Sequence, residues 1–188
     1  MLIGMLSWIA FIAWALSEIF MLIRAKLLRR DVFSVKADKG SYWVIWVVIY
    51  LGIFVAFSFH SFGWGKVSPL IANISAVCML AGVVLRLWSS HVLGINFTQK
   101  VSIDSKQELV KNGPYKIIRH PSYTGALLAF AFLGLALNSW IASCVILIIL
   151  LPCYIYRIRI EENALISHFG SVYNEYRQTT WKLIPYLW

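Results

Sequence analysis

Charge is what this sequence of 188 residues has least of: Asp, Glu, Lys and Arg together make up 13% of it, about half of the roughly 25% usual in soluble domains. Carboxylates are the scarcer sign, 8 against 17 Lys and Arg. Hydrophobic residues take their place, at 60% against a usual value of about 45–50%, and the mean hydropathy is +0.74. A soluble domain of roughly 150 residues buries only about 70% of its unfolded surface, too little to hide so much apolar area. The shortage of charge therefore excludes a soluble globular domain, a disordered chain and a nucleic-acid module, and leaves an integral membrane protein. Cysteine is rare too. Cys78, Cys144 and Cys153 all sit in apolar runs with no CxxC and no Cys/His cluster, so no metal site and no disulfide framework is expected. A glycine-rich strand-to-helix fingerprint is also missing, which excludes a soluble-type nucleotide fold.

What is present is a series of apolar runs long enough to cross a hydrocarbon core of about 30 Å, for which roughly 20 helical residues suffice. The first is Leu2 to Ile23, interrupted by Glu18 and followed at once by Arg24, Lys26, Arg29 and Arg30. That order is the reverse of a cleavable signal peptide, so a retained helix is expected. Tyr42 to Phe62 is the second run and Pro69 to Trp88 the third. After a polar stretch from Ser89 to Arg119, Ser122 to Tyr156 is almost uncharged. As one helix this last segment would be about 52 Å long at 1.5 Å per residue. Asn138-Ser139 divides it, which predicts a tight hairpin of two spans, Ser122–Leu137 and Trp140–Tyr156, the second bent at Pro152. The tail from Arg157 to Trp188 is charged, aromatic and amphipathic.

Five spans place the loops alternately on two sides. With the loop after span one inside, 16 of the 17 basic residues fall inside and only Lys66 outside, as the positive-inside rule requires. The N-terminus is then outside, and both long polar segments share the cytoplasmic face. The expected architecture is an all-α integral membrane protein of five transmembrane helices. Residues 1–93 form a three-span region. Residues 94–188 form a catalytic region in which the cytoplasmic loop, the hairpin and C-terminal amphipathic helices build a pocket.

Three clusters on that face carry chemistry. Asn112-Gly113-Pro114 is a turn signal. His120 precedes Pro121 and is biased away from helix, so span four starts at Pro121 with first-turn N–H groups that suit an anion. Taken singly, Arg119 reads as a headgroup contact, His120 as solvated and Tyr123 as a belt aromatic; the whole spacing reads as a site. Arg157 and Glu161 are four apart and share a helix face with Leu165 and Phe169, where span five leaves the membrane. Gly170 suits a helix C′ position before a second short helix. Ser105-Lys106-Gln107-Glu108 matches a capping box. Glu18 reads as an interfacial carboxylate one turn from Arg24, and Arg86 as a side chain that snorkels to the interface.

In order along one face, these residues form the motifs Gly94-x-Asn96-Phe97, Gly113-Pro114-Tyr115, Arg119-His120-Pro121-Ser122-Tyr123-x-Gly125, and Glu161-Glu162-x-x-Leu165-x-x-x-Phe169-Gly170-x-x-Tyr173-x-x-Tyr176. Leu183-Ile184-Pro185 closes the series. The block resembles the isoprenylcysteine carboxyl methyltransferases, and more distantly the phospholipid N-methyltransferases and the C-terminal part of membrane sterol reductases. The resemblance runs from about Gly94 to Pro185. It implies S-adenosylmethionine as methyl donor, with S-adenosylhomocysteine as product, and a prenylated cysteine arriving from the bilayer as acceptor. Carried over by position, it places the cofactor at Gln107, Glu108, Leu109, Val110, Tyr115, His120, Pro121, Ser122, Tyr123 and Glu161. It places the acceptor at Arg157, and implies neither a metal nor a nucleic-acid partner. A carboxylate acceptor is already ionised at neutral pH, which accounts for the absence of any evident catalytic triad.

Overall fold

The computed structural model describes residues 4–27, 40–97 and 108–186. Six α-helices dominate: α1 Met5–Leu27, α2 Ser41–Phe62, α3 Pro69–Leu93, α4 Pro121–Ala136, α5 Trp140–Phe169 and α6 Ser171–Gln178. Single 3₁₀ turns lie at Gly94–Asn96 and Gly113–Lys116, the second where Asn112-Gly113-Pro114 predicts a turn. Among the described residues there is no β-strand, only one isolated bridge between Ile118 and Trp181.

Helix surfaces are apolar on the outside. On α1, Trp8, Ile12, Leu16, Phe20 and Ile23 are exposed, whereas Ser7, Ala10, Trp14, Ser17, Glu18 and Met21 are buried. The inward stripe is the more polar one, the inverse of a soluble amphipathic helix, and it fits a bundle whose solvent is lipid. Four helices, α1, α2, α3 and α5, are long and apolar enough to cross a membrane, which makes this an integral multi-pass membrane protein. α4, at 16 residues, is about 24 Å long at 1.5 Å per residue and belongs to the shorter apolar class.

Capping sets the boundaries. Ser68 Oγ accepts from Ile71 N ahead of α3, with Pro69 in the first turn. Gly63 ends α2 at φ 68, the left-handed conformation that glycine adopts without a Cβ penalty. Between α4 and α5, Asn138 takes φ 70, and its Oδ1 accepts from Val67 N at 3.2 Å. Ser139 then caps α5 by accepting from Ala142 N at 3.2 Å. α5 continues past the expected end of its span at Tyr156 and stops at Gly170, the position expected for its C′ residue. It runs through Arg157, Glu161 and Glu162 to Phe169, because no residue after Pro152 breaks the pattern until Gly170, which has φ 55. Arg157 and Glu161 are therefore held on the same rigid helix that forms the bundle.

α3 and α4 pack with their backbones close together. A Cβ on Gly82 would lie 2.6 Å from the Gly125 carbonyl oxygen, and one on Gly125 would lie 2.6 Å from that of Gly82. Small residues at such crossings allow the close contact that holds membrane helices together. Gly125→Val should therefore lower the thermal midpoint in detergent by the equivalent of about 1–3 kcal/mol of overpacking. An unchanged midpoint would mean that the two helices are free to separate. The inner face of the bundle is filled by Trp14, Ile49, Met79, Phe130, Leu133, Ile146 and Tyr154, with Trp14 edge-on to Phe130 at 5.3 Å.

The tail straps back over the start of α4. Trp181 N donates to Ile117 O at 2.9 Å, Arg119 N to Trp181 O at 2.8 Å, and His120 N to Lys182 O at 3.2 Å. Thr124 Oγ1 donates to Leu183 O at 2.7 Å, and Leu183 itself is buried. This strap fixes the His120-Pro121 turn against α5 and α6.

Candidate functional site

One cavity opens where the α2 start, the α3 end, the α4 start and the polar end of α5 converge. α2 contributes Tyr42, Ile45, Trp46 and Ile49, an apolar and aromatic wall. Arg86 and Leu93 come from α3, with Asn96 and Phe97 following. Tyr154, Arg157, Glu161 and Leu165 come from α5, and Tyr173 and Tyr176 from α6. Glu108, Leu109, Val110, Tyr115, His120, Ser122, Tyr123, Glu161 and Arg157 all line this one cavity, so nearly every candidate residue from the sequence is brought together. Pro121 is the exception: it is buried at the first turn of α4 and does not face the space. Gln107 and the capping-box residues Ser105 and Lys106 lie outside the described residues.

A polar network spans the cavity wall. Arg157, only 4% exposed, donates through Nε to Tyr123 Oη at 3.0 Å and through Nη1 to Ser41 Oγ at 2.8 Å. Tyr123 Oη donates to Glu161 Oε2 at 2.6 Å. His120, also buried, stacks on the Tyr123 ring at 5.7 Å, and its Nε2 lies 3.4 Å from Glu162 Oε1. Glu162 accepts from Arg119 Nε at 2.9 Å and faces Lys182 Nζ at 3.5 Å. Arg119 also donates through Nη1 to the Thr180 carbonyl.

Several expectations are corrected by this arrangement. Arg119 is not a headgroup contact and His120 is not solvated, because the tail strap covers them and Glu162 supplies the counter-charge of Arg119. In the first turn of α4, Tyr123 N and Thr124 N both donate to His120 O at 3.0 Å. Glu18 and Arg86 are not separate charges but partners. Arg86 Nε and Nη2 donate to Glu18 Oε1 and Oε2 at 2.8 and 3.1 Å, with side chains 13% and 6% exposed, and both residues line the cavity. Two long-separated residues that pair only through the packing of α1 on α3 leave no local signal. The sole hint was that each is an ionisable group inside an apolar run.

Tyr173 is the other residue sequence reasoning left out of the site. It is 1% exposed and lines the cavity, and its hydroxyl has no hydrogen-bond partner among the described residues. A buried polar group without a partner is rare in folded proteins. Burial pushes the Tyr115 and Tyr173 hydroxyls well above their usual range, with carboxylates of α5 adding to the shift. Burial likewise pushes Tyr176 up to about 12. All three remain neutral donors across the range in which a membrane enzyme works, so none adds a titration to the site.

Sequence and fold both have known counterparts. The family model described as isoprenylcysteine carboxyl methyltransferase matches residues 75–167, which bears out the resemblance carried by the motif block. A protein-S-isoprenylcysteine O-methyltransferase of Dictyostelium discoideum is 30% identical over 125 residues, 60% of this chain and 48% of that one. One of Saccharomyces cerevisiae is 28% identical over 128 residues, 67% of this chain and 54% of the relative. The chain thus spans about half the length of the curated relatives it matches. In fold, it resembles the solved eukaryotic intramembrane Ras methyltransferase, an isoprenylcysteine carboxyl methyltransferase. The TM-score is 0.69 at 22% identity, over 99% of this chain and 70% of that one.

Proposed function

We propose that this chain, whose residues 75–167 match the isoprenylcysteine carboxyl methyltransferase family, transfers a methyl group from S-adenosylmethionine to the α-carboxylate of an isoprenylated cysteine, giving a methyl ester. The observation that carries the reading is the convergence on one cavity of a buried guanidinium, Arg157, a carboxylate, Glu161, and an apolar wall of Ile45, Trp46 and Ile49. S-adenosylmethionine supplies an electrophilic methyl on a sulfonium. Everything else falls to the residues. Glu161, with its side chain 32% exposed, is open to the donor's ammonium, and the partnerless Tyr173 hydroxyl offers it a hydrogen bond. Tyr115, Glu108, Leu109 and Val110 complete the donor end, and the resemblance alone assigns Gln107 and Pro121 to it.

Arg157 grips the acceptor carboxylate through its fork of N–H groups, the geometry in which guanidinium meets carboxylate best. The α2 wall takes the prenyl tail, which enters sideways from the bilayer while the donor enters from the cytosol. Alignment at about 3–3.5 Å and exclusion of water are the work required. Residues 94–188 carry the reacting ends and residues 1–93 supply walls through Tyr42, Trp46 and Arg86. In the membrane the arrangement is five-spanning, α4 being a short fourth span and the other half of a hairpin with α5. The N-terminus is outside, and the cavity lies at the basic, cytoplasmic face.

Radiolabelled methyl transfer from S-adenosylmethionine to a short S-prenylated cysteine in liposomes tests the reading. The product should release methanol in mild alkali, as an ester does and an N-methyl amine does not. Because an α-carboxylate titrates at about 3.3–3.7, turnover should be nearly flat from pH 6 to 9. An amine acceptor would have to lose a proton first, and its rate would climb with pH. An alkali-stable product would transfer the protein to the amine methyltransferases.

A further inference from the structure

The hydroxyl of Tyr123 lies between the two charged groups on which the proposed function rests. It accepts from Arg157 Nε at 3.0 Å and donates its single proton to Glu161 Oε2 at 2.6 Å. A guanidinium has only donors and an ionised carboxylate only acceptors, so the direction of this chain of bonds is fixed. The ring is fixed as well, stacked on His120 at 5.7 Å with an interplanar angle of 13°, and lying 5.2 Å from the Tyr154 ring. Both charges stand on α5, and Tyr123 reaches them from the first turn of α4, which the tail strap holds in place.

We propose that Tyr123 is a positioning residue that couples the two ends of the cavity: through its hydroxyl, neutralisation of Glu161 by a cationic ligand strengthens the hold of Arg157 on a carboxylate. This rests on the reading given under Proposed function. With Glu161 unneutralised, its negative charge draws the Tyr123 proton, and a Tyr123 oxygen polarised in that way holds Arg157 Nε to itself. An ammonium on Glu161 weakens that draw and leaves more of the guanidinium's attraction for a carboxylate, since hydrogen bonds in such a chain polarise one another. Linkage makes the effect reciprocal: an acceptor in place tightens the donor by the same factor.

The test uses the full chain in detergent, with S-adenosylhomocysteine and a short S-prenylated N-acylcysteine as probes, by titration calorimetry. S-adenosylhomocysteine keeps the ammonium and lacks the sulfonium charge, so any enhancement comes by way of the amino-acid end. The acceptor should bind on the order of 10-fold tighter when S-adenosylhomocysteine is present. Tyr123→Phe keeps both ring contacts and loses the hydroxyl. Its enhancement should fall below about 2-fold, and KM for the acceptor should rise on the order of 10-fold with much less change in donor affinity.

Full enhancement in Tyr123→Phe overturns the proposal. If that variant does not fold, Glu161→Gln, measured at S-adenosylhomocysteine concentrations that saturate it, must also lose the enhancement, and retention there overturns the proposal equally. A wild-type protein that binds both ligands with no enhancement defeats the coupling alone. One that binds neither defeats the methyltransferase reading and the coupling with it.

Discussion

Arg157→Ala should lose methyl transfer by on the order of 10²–10³-fold, the loss seen when one well-placed donor to a reacting anion is removed, while S-adenosylmethionine still binds. Two features give the residue this weight. Its guanidinium is buried at 4% exposure, where a charge interacts far more strongly than in water. It is also aimed by hydrogen bonds to Tyr123 Oη and Ser41 Oγ, so little reorganisation is needed when a carboxylate arrives. Arg157→Lys keeps the charge but loses the planar fork and should recover only part of the rate. Turnover in radiolabelled methyl transfer and donor affinity by calorimetry, measured on the same preparations, separate the two ends of the cavity. Undiminished turnover in Arg157→Ala would remove the acceptor grip from the mechanism. Lost donor binding would mean that Arg157 serves the donor end instead.

The site was legible where its chemistry is written in short spacings. His120, Pro121, Ser122 and Tyr123 are consecutive, and Arg157 with Glu161 share a face at four residues apart, so local geometry alone puts these residues near the α4 and α5 ends. Span boundaries were legible for the same reason, since Ser68-Pro69, Gly63 and Asn138-Ser139 stop and start helices through their own backbone preferences. The end of α5 was legible too, because a change from apolar to charged residues after Tyr156 marks a change of surroundings and not of backbone, and only Gly170 carries a stop. What could not be read are pairings between distant segments. Glu162 finds Arg119 43 residues away, and Trp181 pairs with Ile118, because the tail folds back, and nothing in either segment announces the other. The same holds for Glu18 and Arg86, 68 residues apart, which looked like separate interfacial charges.

That last pair should dominate stability. Arg86→Ala would strand the Glu18 carboxylate, whose side chain is only 6% exposed, about 13 Å along α1 from its Leu27 end at 1.5 Å per residue. Breaking a buried pair from one side costs about 3–5 kcal/mol. For a domain of this size that corresponds to a fall of roughly 6–20 °C in thermal midpoint, at about 2–4 °C per kcal/mol. Removing both partners is a different matter, since the attraction within a buried pair often does no more than offset the desolvation of its two charges. Glu18→Leu combined with Arg86→Met should thus recover most of the midpoint lost by Arg86→Ala. Activity should not return with it, because Arg86 Nη1 also donates to Ser122 O at 3.3 Å and the residue forms part of the cavity wall. A double variant with its midpoint restored and its turnover still low would assign the pair both a structural and a site role. A double variant as unstable as the sum of its two single changes would mean that the two charges contribute independently, with no coupling between them.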